Sequence, residues 1–352
     1  MNTAIFYSPK FLEHETGPDH PESPSRLKAI IKELNQSDLL RTGNCTLIEP
    51  KPVSLEDLAL VHEPGYIKLV EQMCTLGGGI LDLGDTVVRS KSCETAFLAV
   101  GALVEAVNLV ANGKVRNAFG LVRPPGHHAG ASYAWGFCLF NNVAVAASYL
   151  LNRLDLERVL IIDIDAHHGN GTQELFYATN QVLYISIHED PRAFPGTGFY
   201  DEVGDSDGIG YTVNVPLPFR SNDEIYIRAF EEIVTPISMQ FRPQLILISA
   251  GFDGHYSDPV GALSLSMKCY EEVFTRILTL ASQLCEKKLV AALEGGYNLN
   301  FLGQITVAVI AKMAEVSYRL EDNRQNANPK VIQKAEQVIR RVKRIQSSFW
   351  KL

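Results

Sequence analysis

Residues 159–171 read V-L-I-I-D-I-D-A-H-H-G-N-G. An apolar run with the composition of a buried strand ends in two carboxylates and two imidazoles. Side chains alternate across a strand, so Asp163 and Asp165 leave one face and His167 extends the same row. Bare carboxylates are too costly to bury without a cation or donors to compensate them. Asp and His in this register point to a divalent metal, with a further ligand drawn from elsewhere in the chain.

Short β-type runs alternate with helical patterns along the whole sequence. Strands are expected at 4–7, 118–122, 159–164, 182–187, 245–249 and 289–293. Helices are expected at 94–112, 142–153, 223–240, 267–287, 301–314 and 330–345. That alternation gives an α/β class with a mostly parallel central sheet flanked by helices on both faces. With no internal repeat and no low-complexity linker, residues 1–352 read as one domain. Two polar stretches, 14–24 and 188–211, are loops long enough to be functional.

Composition narrows the partners. The chain has 352 residues, 46% hydrophobic and 20% charged, as soluble globular proteins do. A net charge of −8 argues against nucleic acid as the main partner; the place for a basic patch is Lys330 to Lys351. The first ten residues lack a basic n-region, so no signal peptide is expected. The apolar segment 95–111 carries Glu105 and Asn108 at helical spacing, which reads as an amphipathic helix and not a membrane span. Six cysteines without a C-x-x-C pair read as free thiols of a reducing, cytoplasmic compartment.

The polar residues of interest follow the expected strands. Val122 is followed by R-P-P-G-H-H-A, Ile164 by D-A-H-H-G-N-G, Ile187 by His188, Ser249 by A-G-F-D and Leu293 by E-G-G-Y. In open parallel sheets the ligand crevice lies outside the carboxyl ends of the strands. Five segments thus converge on one place.

Asp165, His167 and Asp253 offer two oxygens and one nitrogen. Three protein ligands with an open position is the pattern of a catalytic zinc site, although other divalent metals suit the same donors. His127 and His128, on a turn bent by Pro124, Pro125 and Gly126, can move a proton to and from a water at the metal. Each needs a partner to fix its tautomer: Asp163 for His127 and Asn170 for His128. Tyr297, after two glycines, can donate to the oxyanion of a tetrahedral intermediate. Phe137 and Phe194 can wall an apolar tunnel. Together these groups specify amide hydrolysis.

On these motifs, with W-G-F-C at 135–138, F-P-G-T-G at 194–198, H-P-E-S-P-S-R-L at 20–27 and the terminal F-W-K-L, the sequence resembles the histone deacetylase family. That family also includes acetylpolyamine amidohydrolases and bacterial deacetylase-like amidohydrolases. The resemblance implies an arginase/deacetylase-like fold and zinc on Asp165, His167 and Asp253. It implies catalysis by His127, His128 and Tyr297, supported by Asp163 and Asn170. It implies a potassium site at Asp163, Asp165, His167, Ser186 and Ile187, and a second on backbone oxygens of Phe176, Thr179, Val182 and Tyr211. Gly136, Phe137, Phe194, Val260 and Gly295 are expected to contact substrate, and Arg26 and Trp135 to line a cavity below the zinc. Asn170 replaces the Asp of class I members, which places the chain with class II. Val260 replaces the Leu of typical class II enzymes and the Glu of the polyamine-specific type. Gly169 and His255 stand where binuclear arginase-type sites add carboxylates, so one catalytic metal is expected.

The leading expectation is a zinc-dependent deacylase of N-acetyl- or N-acyl-lysine in proteins or peptides. The alternatives are the same chemistry on acetylpolyamines or other small N-acylated amines, and a non-catalytic acyl-lysine binding module. His14, His20, His62, His188 and His255 have no ligand spacing of their own. Cys138 reads as a packed thiol, and oligomeric state is left open by the sequence.

Overall fold

Runs such as 159–163 and 245–250 present apolar side chains to both faces, which only a sheet covered on both sides can bury. The computed structural model describes residues 2–82 and 84–352. Its strands are β1 (Thr3–Phe6), β2 (Cys45–Ile48), β3 (Gly78–Ile80), β4 (Val87–Arg89), β5 (Asn117–Gly120), β6 (Val159–Asp163), β7 (Val182–Glu189), β8 (Thr212–Leu217), β9 (Leu245–Ala250) and β10 (Leu289–Leu293). Eight of them form one parallel sheet in the order β2-β1-β5-β10-β9-β6-β7-β8. β3 and β4 form a separate antiparallel pair. The inner strands are buried at every position.

The helices are α1 (Pro24–Gln36), α2 (Leu55–Leu58), α3 (Pro64–Thr75), α4 (Ser92–Ala111), α5 (Asn142–Arg153), α6 (Asn170–Phe176), α7 (Asp223–Ala229), α8 (Thr235–Phe241), α9 (Met267–Leu284), α10 (Leu299–Met313) and α11 (Pro329–Gln346). The α/β class and the parallel sheet flanked by helices agree with the sequence expectation. By length and composition α4 could cross a membrane. Most of its side chains from Ser92 to Val110 are instead buried, packed against α5, β5 and β10. It is a helix of the protein core.

The structure corrects several boundaries. The helix expected at 223–240 is interrupted by a π-type turn at Phe230–Val234 between α7 and α8. Pro236 has no N–H to offer the preceding turn, and the helical ladder widens just ahead of it. His188 does not open a loop: it lies inside β7, which continues to Glu189. Elements absent from the expectation are α1, α2, α3, α6, β2, β8 and the β3–β4 pair. β8 holds Pro216, which an edge strand tolerates because one side of its backbone needs no partner.

Candidate active site

Five strands that are neighbours in the sheet, β5, β10, β9, β6 and β7, carry the five polar segments at their carboxyl ends. β6 and β9 are neighbours from which the chain moves outward in opposite directions, to β7 and to β10, the kind of switch point where a crevice opens. At this edge lies a cavity of about 260 Å³ lined by His127, His128, Asp165, His167, Phe137, Phe194 and Tyr297 among others, whereas the His188 ring is held by Ser186 Oγ and Gly198 O. The cavity is smaller than a drug-sized pocket and suits one extended side chain.

At the base, the Asp165, His167 and Asp253 donor atoms all lie within 4.8 Å of one another. His167 Nδ1 is 2.9 Å from Asp253 Oδ2 and 3.2 Å from Asp165 Oδ1. Backbone N–H groups orient both carboxylates: Ala166 donates to Asp253 Oδ1 at 2.9 Å and Gly295 to Asp165 Oδ2 at 2.8 Å. Burial, reinforced by the Asp165 charge, raises Asp253 to about 7. Burial disfavours the His167 imidazolium, yet the two carboxylates outweigh it and lift its pKa well above the usual value. One proton is thus held where two anions converge, and a divalent cation would compensate them in its place. The donor set fits zinc.

A second trio, His127, Cys138 and Glu294, is equally close but is already satisfied by protein. Cys138 Sγ donates to Gly136 O, and Glu294 accepts from Gly126 N at 2.7 Å and from Ser249 Oγ at 3.2 Å. Burial pushes the Cys138 thiol well above its ordinary value.

The two adjacent histidines sit with ring centroids 4.0 Å apart. His127 Nδ1 is 3.1 Å from Asp163 Oδ2, which also accepts from Tyr184 Oη at 3.0 Å. His128 Nδ1 is 2.8 Å from Asn170 Oδ1. Burial opposes charge on both rings. For His127 the Asp163 and Asp165 carboxylates outweigh it and raise the pKa to about 10. For His128 burial prevails, with the neighbouring His127 adding to it, and the pKa falls well below the usual value. The surroundings push one ring toward its charged form and the other toward its neutral form, the divergence expected of an acid/base pair. Burial also raises the Tyr297 hydroxyl well above the phenol range, so it stays a donor.

Phe137 and Phe194 stand at the mouth. Phe194 meets His128 edge-on at 5.0 Å and stacks on Trp135 at 6.0 Å with an interplanar angle of 4°. Trp135 is therefore behind the wall of the mouth, not in a cavity below the metal site. Trp135 and Cys138 exchange backbone hydrogen bonds at 3.2 and 2.9 Å, closing a two-residue turn with φ of 52° at Gly136 and 69° at Phe137. This is the geometry of a type I′ turn, and holding a phenylalanine there costs about 1–3 kcal/mol. The strain presents Phe137 at the turn tip, against His20 at 4.8 Å and Tyr297 at 5.9 Å. Gly295 has a different reason to be glycine: a Cβ would lie 2.5 Å from Asp253 Oδ2 and 2.6 Å from Asp165 Oδ2. Val260 is at the rim, 37% exposed.

Four acids of this region were not singled out by the sequence. Glu294 caps the 126–127 turn as described, and burial raises it to about 7. Asp258 accepts from Tyr297 N and Asn298 N. Glu189 lines the cavity, with Oε1 3.9 Å from His167 Nε2. Glu22, fully buried, receives Arg123 through two nitrogens and Arg26 through a third. Arg26 also donates to Gly296 O at 2.6 Å and to Glu294 O, and lies 4.9 Å from the Tyr297 ring centroid. It thus braces the loop that carries Tyr297 from below. Asp85 adds a further carboxylate to the lining.

Of the residues expected at monovalent-cation sites, Asp163 and Ser186 are paired in register across β6 and β7, and Ile187 O accepts from Tyr226 Oη at 3.4 Å. Phe176 ends α6, Val182 begins β7, and Thr179 lies between them. Tyr211 O accepts from Tyr184 N at 2.9 Å.

Comparison with known proteins agrees with this geometry. A histone deacetylase domain family matches residues 20–313. A probable deacetylase of Archaeoglobus fulgidus is 39% identical over 360 residues, covering 100% of this chain and 99% of that protein. Histone deacetylase 15 of Arabidopsis thaliana is 37% identical over 99% of this chain, which spans 63% of that longer protein. The crystal structure of an HDA15 HD domain superposes with a TM-score of 0.89 at 36% identity, covering 99% of this chain and 95% of that one. From its strand-end motifs to its sheet order, this chain belongs to the histone deacetylase family.

Proposed function

We propose that this chain is a single-domain zinc-dependent deacetylase that hydrolyses the amide of N-acetyl- or N-acyl-lysine side chains in peptides or proteins. The observation that carries this reading is the meeting, at one narrow cavity, of a two-carboxylate, one-imidazole donor set with His127, His128 and Tyr297.

Zinc held by Asp165, His167 and Asp253 would supply Lewis-acid polarisation of the acyl carbonyl and a water of lowered pKa. The chain's own groups do the rest. Neutral His128, its Nδ1–H donated to Asn170, keeps Nε2 as the acceptor for the proton of the attacking water. His127, charged and tied to Asp163, lends positive potential to the developing oxyanion. Tyr297 donates its hydroxyl to that oxyanion, and His128 returns its proton to the leaving amine. Phe137 and Phe194 keep the acyl-bearing alkyl chain out of water. Potassium bound at Asp163, Asp165, His167, Ser186 and Ile187, and at Phe176, Thr179, Val182 and Tyr211, belongs to the same reading.

The test is turnover of a fluorogenic acetyl-lysine peptide by zinc-loaded protein, with and without a hydroxamate chelator. Hydroxamate-blocked turnover that falls by about 10²-fold or more in Tyr297→Phe and His128→Ala is expected. Binding of the peptide without turnover would support a silent acyl-lysine module instead. One observation favours a small-amine substrate: Asp85 and Glu189 put two carboxylates on the lining, which suits a cationic acetylpolyamine. A kcat/KM for acetylpolyamines above that for acetyl-lysine peptides would establish that second reading.

A further inference from the structure

Beside the catalytic mouth lies a second, larger hollow of about 450 Å³ between α11 and the connection from β7 to β8. The two share a wall. In the turn at 189–194, Glu189, Ala193 and Phe194 face the catalytic cavity, whereas Asp190 and Arg192 line the neighbouring groove. A chain leaving the mouth over this turn enters the groove directly.

The groove differs chemically from the mouth. Helix α11 buries Ala335, Ile339 and Val342 on the protein. Its adjoining stripe, Val331, Lys334, Val338 and Arg341, lines the groove at the three- and four-residue spacing of a single helical face. Opposite are Pro218 and the 42% exposed Phe219. Arg341 lies over the Tyr200 ring at 4.2 Å. Arg192 is paired with Asp190, but Lys334 and Arg341 have no carboxylate partner among the described residues. The lining therefore carries three cations and one anion on a chain of net charge −8.

We propose that this groove is a substrate-docking subsite for an acidic peptide segment flanking the acylated lysine. The inference rests on the deacylase reading of the catalytic cavity. The apolar floor of prolines, valines and phenylalanine receives side chains, and the cations at its edge receive carboxylates. Such an arrangement fits a polypeptide better than a free anion, which needs no apolar floor. It also fits a polypeptide better than nucleic acid, which the overall negative charge repels. The unneutralised cations select by charge, while the chemistry stays with the narrow cavity.

The experiment compares wild type with a Lys334→Glu, Arg341→Glu double variant, both positions being exposed and outside the catalytic machinery. Substrates are acetyl-lysine peptides flanked by aspartates, by serines or by lysines, together with single-residue N-acetyl-lysine amide. Expected is a kcat/KM about tenfold higher for the acidic than the neutral peptide, expressed in KM and lost at about 0.5 M salt. The preference should vanish in the double variant while the single-residue substrate is turned over equally by both proteins. A missing preference, or one that survives the double variant, overturns the proposal. Fluorescence anisotropy of a labelled, unacylated aspartate-rich peptide reads the groove without catalysis. If no acetyl-lysine substrate is turned over, the deacylase reading falls, and weaker binding of that probe to the double variant still supports the groove. Tighter binding of labelled duplex DNA than of the peptide, or a wild-type dimer that the double variant abolishes, overturns the peptide assignment.

Discussion

Asp258 Oδ2 accepts the backbone N–H of Tyr297 at 2.7 Å and that of Asn298 at 3.0 Å. A carboxylate on the loop after β9 thus fixes the loop after β10, and with it the position of the proposed oxyanion donor. Its other oxygen is occupied by Val260 N at 3.0 Å, so the same side chain ties the rim to the tyrosine. Asp258→Asn turns an acceptor toward a donor on one side and should loosen Tyr297. Because a displacement of about 1 Å at a reacting group costs on the order of 10²-fold, kcat is expected to fall by roughly 10–100-fold with KM little changed. Steady-state kinetics on an acetyl-lysine peptide decide this; an unchanged kcat would remove Asp258 from the positioning of Tyr297.

Asn170 orients His128 without adding charge. In Asn170→Asp a carboxylate would sit 2.8 Å from Nδ1 and favour the imidazolium. His128 must be neutral to take a proton, so the acid limb of kcat/KM should move to higher pH, by about one unit or more. At mildly acidic pH the variant is slower than wild type, and the gap closes as pH rises. A pH–rate profile with an unmoved acid limb would show that His128 is not the group titrating there.

Glu22 opposes a stability loss instead of an activity loss. Burial alone would raise its pKa, but Arg123 and then Arg26 outweigh it and hold the carboxyl at about 2. A folded-state pKa below the unfolded one contributes stability that is present above about pH 4.5 and is lost as pH falls toward 2. Glu22→Gln leaves Arg123 buried without its anion and should cost about 3–5 kcal/mol near neutral pH. Denaturant melts should show that deficit shrinking as the pH is lowered through this window.

Removing the metal should leave a pH signature in the fold. Burial holds both Asp253 and Glu294 at about 7, above the ordinary carboxylate range. In metal-free protein, the stability these groups provide when protonated is therefore lost as pH rises from about 4 through 7. Thermal melts of chelator-treated protein should show Tm falling by a few degrees across that interval. Added zinc, binding the folded state, should raise Tm and flatten the dependence. Asp253→Asn should abolish the response to zinc, and bound zinc measured per chain gives an independent reading of the same site.

The strands were legible where apolar runs end in motif residues, which is why 159–163, 245–250 and 289–293 stand within a residue of their expected limits. Convergence of His127, His128, Asp165, His167, Asp253 and Tyr297 was legible because each follows such a run. α1 was not read, although Pro24 and the spacing of Leu27, Ile30 and Leu34 carry a helical signal, because the polar loop before it drew the segment toward a loop reading. Glu22, Glu189 and Asp258 could not be separated from solvent-facing acids by spacing: what distinguishes them is the tertiary placement of Arg123, His167 and Tyr297. Phe137 was found as an aromatic, but the left-handed turn that aims it depends on pairing between Trp135 and Cys138.

The order of the sheet has a consequence for how the molecule comes into being. β5 and β6 are successive sheet strands in the sequence, yet β10 and β9 lie between them. A growing chain that has reached residue 240 lacks both strands that separate β5 from β6, and has neither Asp253 nor Tyr297. Long-range pairing of this kind is slow, because distant segments must be brought together before their contacts repay the lost freedom. The strands that complete the sheet also bring in Asp253 and Tyr297, so on the proposed mechanism a nascent or truncated chain is chemically silent until its last third is in place.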